Sequence, residues 1–150
     1  MDTEKKKSSN WFTWRLSPAE LAKQVDEYKT LNFTQSYRGI TVLAIAIILC
    51  ITVTLAAIGF VNWVDVIAGA ILYIPVTFFA YRGHRWAFIA LIVLWTGDKA
   101  TQFFLMAESG KPSISPIIWW IIFIPLFWKG LTVEIARRKK AASPNSIPST

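Results

Sequence analysis

One cysteine and one histidine in 150 residues leave little material for covalent or metal chemistry. Cys50 sits alone inside an apolar run, so neither a disulfide framework nor a cysteine metal site can be built from the chain. His84 is the sole imidazole, which excludes ligation of a metal or haem by several histidines; it reads as a solvated loop residue. Charge is scarce as well, at 17% of residues, and only nine of these are acids. No glycine-rich dinucleotide fingerprint, phosphate loop, Cys-x-x-Cys pair or zinc-helix motif occurs. No metal, no cofactor and no catalytic set is therefore expected, and the chain reads as a non-enzyme.

Apolar residues fill the space that charge leaves. Hydrophobic residues make up 54% of the chain, with eight tryptophans and ten phenylalanines, far above a soluble domain of this length. The net charge of +7 could suggest nucleic acid, but the basic residues gather at the ends of apolar runs. Anionic lipid head groups are the better counter-charge. Gly39 to Val61 is a run of about 23 residues without a charge, long enough to cross a bilayer with some tilt. Asn62-Trp63 closes it and leads at once into a second run, Val64 to Tyr81, with Asp65 placed to complement the open amides of a helix start and Pro75 placed to bend it. Thr52, Thr54, Ala56, Ala57 and Gly59 on the first run, and Gly69 and Ala70 on the second, offer small surfaces for close helix approach. Arg82-Gly83-His84-Arg85 is the next tight link, a third run spans Trp86 to Ala107, and Pro116 to about Arg138 reads as a fourth helix bent at Pro125. The expected fold is all-α: four transmembrane helices as two antiparallel hairpins, with an N-terminal amphipathic interfacial helix.

That first helix is expected from about Pro18 to Leu31. Ser17-Pro18-Ala19-Glu20 has the form of a capping box, and Leu21, Val25 and Tyr28 make a narrow apolar stripe among Lys23, Asp26, Glu27 and Lys29. It can lie on the bilayer, on a partner or on the protein's own bundle. Trp11, Trp14 and Arg15 before it, and Trp128 and Lys129 late in the chain, combine rings with cations and are expected to anchor at the membrane interface, the Lys129 stem reaching toward the head groups. Three parts follow: residues 1–38 as a cytoplasmic segment carrying the interfacial helix, 39–138 as the four-helix membrane domain, and 139–150 as a basic and polar disordered tail. Basic residues cluster before the first run, in the middle loop and after the last, so the positive-inside tendency puts both termini in the cytoplasm of a multi-pass plasma or inner membrane protein. No cleavable leader is expected, because no apolar stretch follows Lys5, Lys6 and Lys7 soon enough.

The third run carries the chemistry. Asp98 and Lys99 lie about 18 Å in from Trp86 at 1.5 Å per residue, near the bilayer midplane, where a lone charge costs roughly 2.5–3.5 kcal/mol. Residues one apart point about 100° from each other, so the two are not expected to make an ideal pair. Phe88, Leu91, Trp95, Asp98, Lys99, Gln102 and Met106 recur at helical spacing and form a stripe that should face inward, opposite Ala90, Val93, Gly97, Ala100 and Phe104. Tyr73 lies at similar depth on the second span; its hydroxyl, the Trp95 indole and Thr77 are candidate partners for Asp98. Three readings compete: a polar cluster that fixes packing or docks a partner, a proton or cation site in a transport path, and catalysis, for which no nucleophile or cofactor is on view. The favoured expectation is an accessory or structural subunit of a larger membrane complex. The alternative is a small oligomeric proton- or cation-coupled transporter or channel using Asp98 and Lys99. The expected partners are membrane lipids and other membrane subunits or further copies of the chain, not nucleic acid.

Overall fold

Ser17, Ser36 and Asn62 each turn a side-chain oxygen onto an open amide of the helix that follows, at 3.2 Å to Glu20 N, 3.2 Å to Gly39 N and 3.0 Å to Val64 N. The computed structural model describes residues 15–110 and 113–142. Among them it holds five helices: α1 Pro18–Asp26, α2 Tyr37–Ala57, α3 Trp63–Tyr81, α4 Arg85–Glu108 and α5 Ser115–Ala142. α2 to α5 are each long and apolar enough to cross a membrane. The all-helical class and the four long apolar runs therefore stand as expected.

Several boundaries differ for local reasons. α1 stops at Asp26, not near Leu31, because Thr30 turns both its amide and its hydroxyl back on the Glu27 carbonyl while Arg38 takes the carbonyl of Tyr28. Its capping box is half made, since Glu20 accepts a hydrogen bond from the Tyr37 hydroxyl across the link to α2. α2 starts two residues early because Ser36 caps it, and α5 is one helix through Pro125 whose first amide is met by Ser113. Gly59 serves as a helix stop, not as packing surface. At φ +83° it turns the chain so that Phe60 N bonds Leu55 O, a conformation that a side chain at this position would resist.

α2 touches α3, α3 touches α4, α4 touches α5, and α5 closes the cycle back onto α2, while α1 lies against α5. α5 is the most enclosed of the long helices: 56% of its apolar window is buried, against 17% for each of the others. Phe88, Leu91 and Trp95 of α4 pack with Phe123, Phe127 and Leu131 of α5, Ile45 of α2 and Ala80 of α3. Leu21 and Tyr28 of the expected α1 stripe join the edge of this core.

Close approach of α4 to α5 depends on Gly130, where an added Cβ would sit 2.4 Å from Cε1 of the buried Phe88. Gly69, expected to be a packing surface, has open space where its Cβ would be. In lipid, helices associate through such packing more than through apolar burial. Gly130→Ala is accordingly expected to destabilise the fold by about 1–3 kcal/mol through overpacking, and Gly69→Ala to be neutral or slightly stabilising. Thermal unfolding of both variants in detergent checks this; equal midpoints would remove Gly130 from the α4–α5 contact.

Candidate functional site

Two polar constellations sit on this frame, one midway along α4 and one at the α1 side of α5. On α4 the inward stripe holds at first: Phe88, Leu91 and Trp95 are buried. Past Trp95 it rotates outward. Lys99, Gln102 and Met106 are half-buried and Asp98 is exposed, with 42% of its side chain accessible. The expected separation of the two charges fails, because the lysine stem is long enough to bend back across the 100° between them. Lys99 Nζ lies 2.8 Å from Asp98 Oδ2 and donates to Gln102 Oε1 at 3.1 Å. Gln102 Nε2 donates to the same Asp98 oxygen at 3.0 Å. The three side chains form a closed loop on a single helix, their charges cancelling within one turn. Lys99 Nζ also lies 4.6 Å from the Trp95 ring centroid, a cation–π contact that holds it against the bundle.

Neither Tyr73 nor Trp95 reaches Asp98. The Trp95 indole is turned into α5, with ring centroids 4.9 Å from Phe123 and 6.2 Å from Phe127, and Tyr73 meets it edge-on at 6.4 Å. Trp95 Nε1, the Tyr73 hydroxyl and the Thr77 hydroxyl are all buried without a hydrogen-bond partner. The polar link between α4 and α5 is instead Trp120 Nε1 donating to Thr96 Oγ1 at 3.0 Å.

The second constellation centres on Glu134 of α5, a carboxylate only 2% exposed. It accepts from the Tyr28 hydroxyl at 3.1 Å, from Arg137 through Nε at 3.2 Å and through Nη2, and from Arg138 Nε at 3.2 Å. Arg138 also donates to the Gly83 carbonyl at 3.3 Å, tying in the α3–α4 turn. Arg137 and Arg38 both lie over the Tyr28 ring, at 4.5 and 4.2 Å. Burial, reinforced by the Glu134 charge and opposed by Arg38 and Arg137, raises the Tyr28 hydroxyl above its ordinary range, so it stays a proton donor. Gly83, at φ +81°, has the Tyr28 hydroxyl 2.5 Å from where a Cβ would stand. The cluster fastens the turn after α1, the start of α2, the α3–α4 turn and α5 to one another. A cavity beside it, about 10 Å³ between Tyr28, Tyr37 and Gly130, is no larger than one water.

Of the expected interface anchors, Trp11 and Trp14 lie outside the described residues, Arg15 and Trp128 are exposed, and Lys129 is turned inward. Lys129 is 2% exposed, with Nζ 5.7 Å from the Tyr37 ring of α2, because the face of α5 that carries it is packed inside the bundle. His84 is half-buried, packed beside the Phe79 and Trp86 rings at 5.5 and 6.5 Å, in place of the fully solvated loop residue expected from the sequence. Glu134, Tyr28, Arg38, Arg137 and Arg138 as a unit were not foreseen; the legible part was Glu134 followed by arginines at i+3 and i+4. No family model, curated protein or solved structure matches the chain. The geometry alone carries the functional reading.

Proposed function

We propose that this chain is a non-catalytic subunit of a larger membrane assembly, inserted as two antiparallel helix hairpins with both termini cytoplasmic, and that it meets a neighbouring membrane protein through the Asp98 face of α4. The observation that carries the reading is the 42% exposure of the Asp98 side chain on the outside of the helix cycle. Its contacts with Lys99 and Gln102 both fall on Oδ2, and a carboxylate oxygen keeps lone pairs for a further donor. An oxygen of that kind facing acyl chains is costly; one facing a donor on another helix is a specific contact. The large outward apolar surface of α2, α3 and α4 suits lipid and protein neighbours alike. In this reading α1, whose following turn is tied to α5 through Tyr28 and Glu134, lies at the membrane surface.

Tagged full-length protein, extracted in mild detergent, is expected to carry a different membrane protein in fixed ratio. A photoreactive residue at Thr101, one turn from Asp98, is expected to cross-link to that same protein. Asp98→Asn should weaken the association by about 1–2 kcal/mol, roughly 5- to 30-fold, with helical content unchanged. A homogeneous homo-oligomer whose reconstituted cation or proton flux disappears in Asp98→Asn would replace the subunit reading by the transport one.

A further inference from the structure

Three arginines meet at the turn between α3 and α4. Gly83, at φ +81°, lets the chain reverse between Tyr81 and Arg85, with Gly83 N on Ala80 O at 3.0 Å and His84 N on Phe79 O at 3.1 Å, so Arg82 and Arg85 leave the turn at the same end of the bundle. Arg138, near the end of α5, donates to the Gly83 carbonyl at 3.3 Å and brings a third guanidinium to the turn. Arg82 and Arg85 are exposed, and the Arg138 side chain is 48% accessible. Acid does not balance them. Neither Arg82 nor Arg85 pairs with a carboxylate among the described residues. The carboxylate beside the turn, Glu134, is 2% exposed and already shared by Tyr28, Arg137 and Arg138.

Exposed rings lie just inside these cations. Phe78, Tyr81 and Trp86 are 52%, 41% and 48% accessible, and the Arg82 guanidinium lies 4.9 Å over the Phe78 ring. Stacking uses the face of that guanidinium and leaves its in-plane N–H groups for an acceptor. Apolar helix, exposed rings and unpaired cations follow one another in the order in which acyl chain, interface and phosphate occur on the way out of a leaflet. The two links at the other end of the bundle carry a single lysine between them, Lys111. We infer that the α3–α4 turn is a docking surface for the head group of an anionic phospholipid, its phosphate met by Arg82 and Arg85 with Arg138 beside them. Charge complementarity names this occupant: two exposed guanidinium groups without a carboxylate, at the end of two apolar spans, fit a phosphate that they can meet with paired N–H donors. The inference rests on the four helices crossing a membrane and is independent of the Asp98 contact.

The test uses full-length protein in detergent, stripped of lipid and then offered phosphatidylglycerol or phosphatidylcholine, with bound lipid counted by native mass spectrometry. Wild type is expected to retain phosphatidylglycerol roughly tenfold more strongly than phosphatidylcholine, and Arg82→Gln/Arg85→Gln to bring the two lipids within about twofold of each other. Lys23→Gln/Lys29→Gln removes the same charge from exposed positions on α1 and just after it, and is expected to keep the wild-type preference. Equal retention of the two lipids by wild type overturns the site. An equal loss in the lysine pair and the arginine pair does so too, because the preference then belongs to net charge and not to the turn. Displacement of phosphatidylglycerol by millimolar inorganic phosphate assigns the arginines to a soluble phosphate ligand and likewise overturns it. Each of these results leaves the membrane reading intact, whereas release of the wild-type chain from native membranes by an alkaline wash overturns both.

Discussion

Lys99→Met is expected to reduce stable membrane insertion of α4 by roughly 100-fold, and the double variant Asp98→Asn/Lys99→Met to restore most of it. The lysine supplies the ion pair at 2.8 Å and is the only cation in the closed loop on α4. Without it Asp98 keeps one neutral donor, Gln102, and faces hydrocarbon with most of a formal charge. The cost of a carboxylate at that depth is about 2.5–3.5 kcal/mol, close to the stated hundredfold. Asp98→Asn alone should be milder. Lys99 then retains Gln102 Oε1 at 3.1 Å and the Trp95 ring at 4.6 Å, its side chain is only 13% accessible, and its stem can carry the ammonium toward water. The expected order of insertion is wild type and double variant first, then Asp98→Asn, then Lys99→Met. A glycosylation acceptor placed in the α4–α5 link reports the fraction inserted. If Lys99→Met inserts like wild type, Asp98 does not lie in the hydrocarbon, and the docking face on α4 goes with it.

What could be seen beforehand divides along a physical line. Hydropathy and length depend on the residues of one segment, so the four long runs and their links are visible, with ends displaced where a cap such as Ser36 or a turn-back such as Thr30 intervenes and, in α5, where the helix runs on to Ala142. Pairing across helices depends on which faces meet, and a single run does not carry that. Tyr73 and Asp98 lie at similar depth, yet the tyrosine meets Trp95 while Asp98 looks outward. Lys129 reads as a cation reaching for head groups because the segment before it is short, whereas the packed helices enclose it with its ammonium beside the Tyr37 ring of α2. In the sequence Arg137 and Arg138 belong to the basic cluster at the end of the last run, a pattern that is silent about the buried carboxylate beside them.

That carboxylate supports the second large effect. Glu134→Ala is expected to release α1 from the bundle while leaving the four long helices in place. Removing one member of a buried ion pair commonly costs about 3–5 kcal/mol, because the other charge is left without a counter-charge. Here the arginines have an escape: the Arg137 and Arg138 side chains are 36% and 48% exposed and can swing to solvent, so much of that penalty is relieved. Tyr28 has no such freedom. Its ring, just past the end of α1, is held between Arg38 of α2 and Arg137 of α5, and its hydroxyl loses an ionised acceptor in a half-buried place. A net local loss of about 1–3 kcal/mol follows, which raises the open population of α1 roughly 5- to 150-fold. Lys140 to Asp26, Tyr37 to Glu20 and Gln24 to the Gln35 carbonyl still tie α1, but all attach to it before Tyr28 in the chain and do not replace it. Amide exchange over residues 18–31 should accelerate by that factor, protease cleavage should appear in residues 27–35, and exchange in α2 to α5 should stay unchanged. Tyr28→Phe keeps the ring over the arginines and loses one hydrogen bond, so its effect on α1 should be about 1 kcal/mol and smaller than that of Glu134→Ala. Unchanged exchange of α1 in Glu134→Ala would show that the helix is held by its apolar stripe, and that the buried carboxylate serves the α3–α4 turn through Arg138 and Gly83 instead.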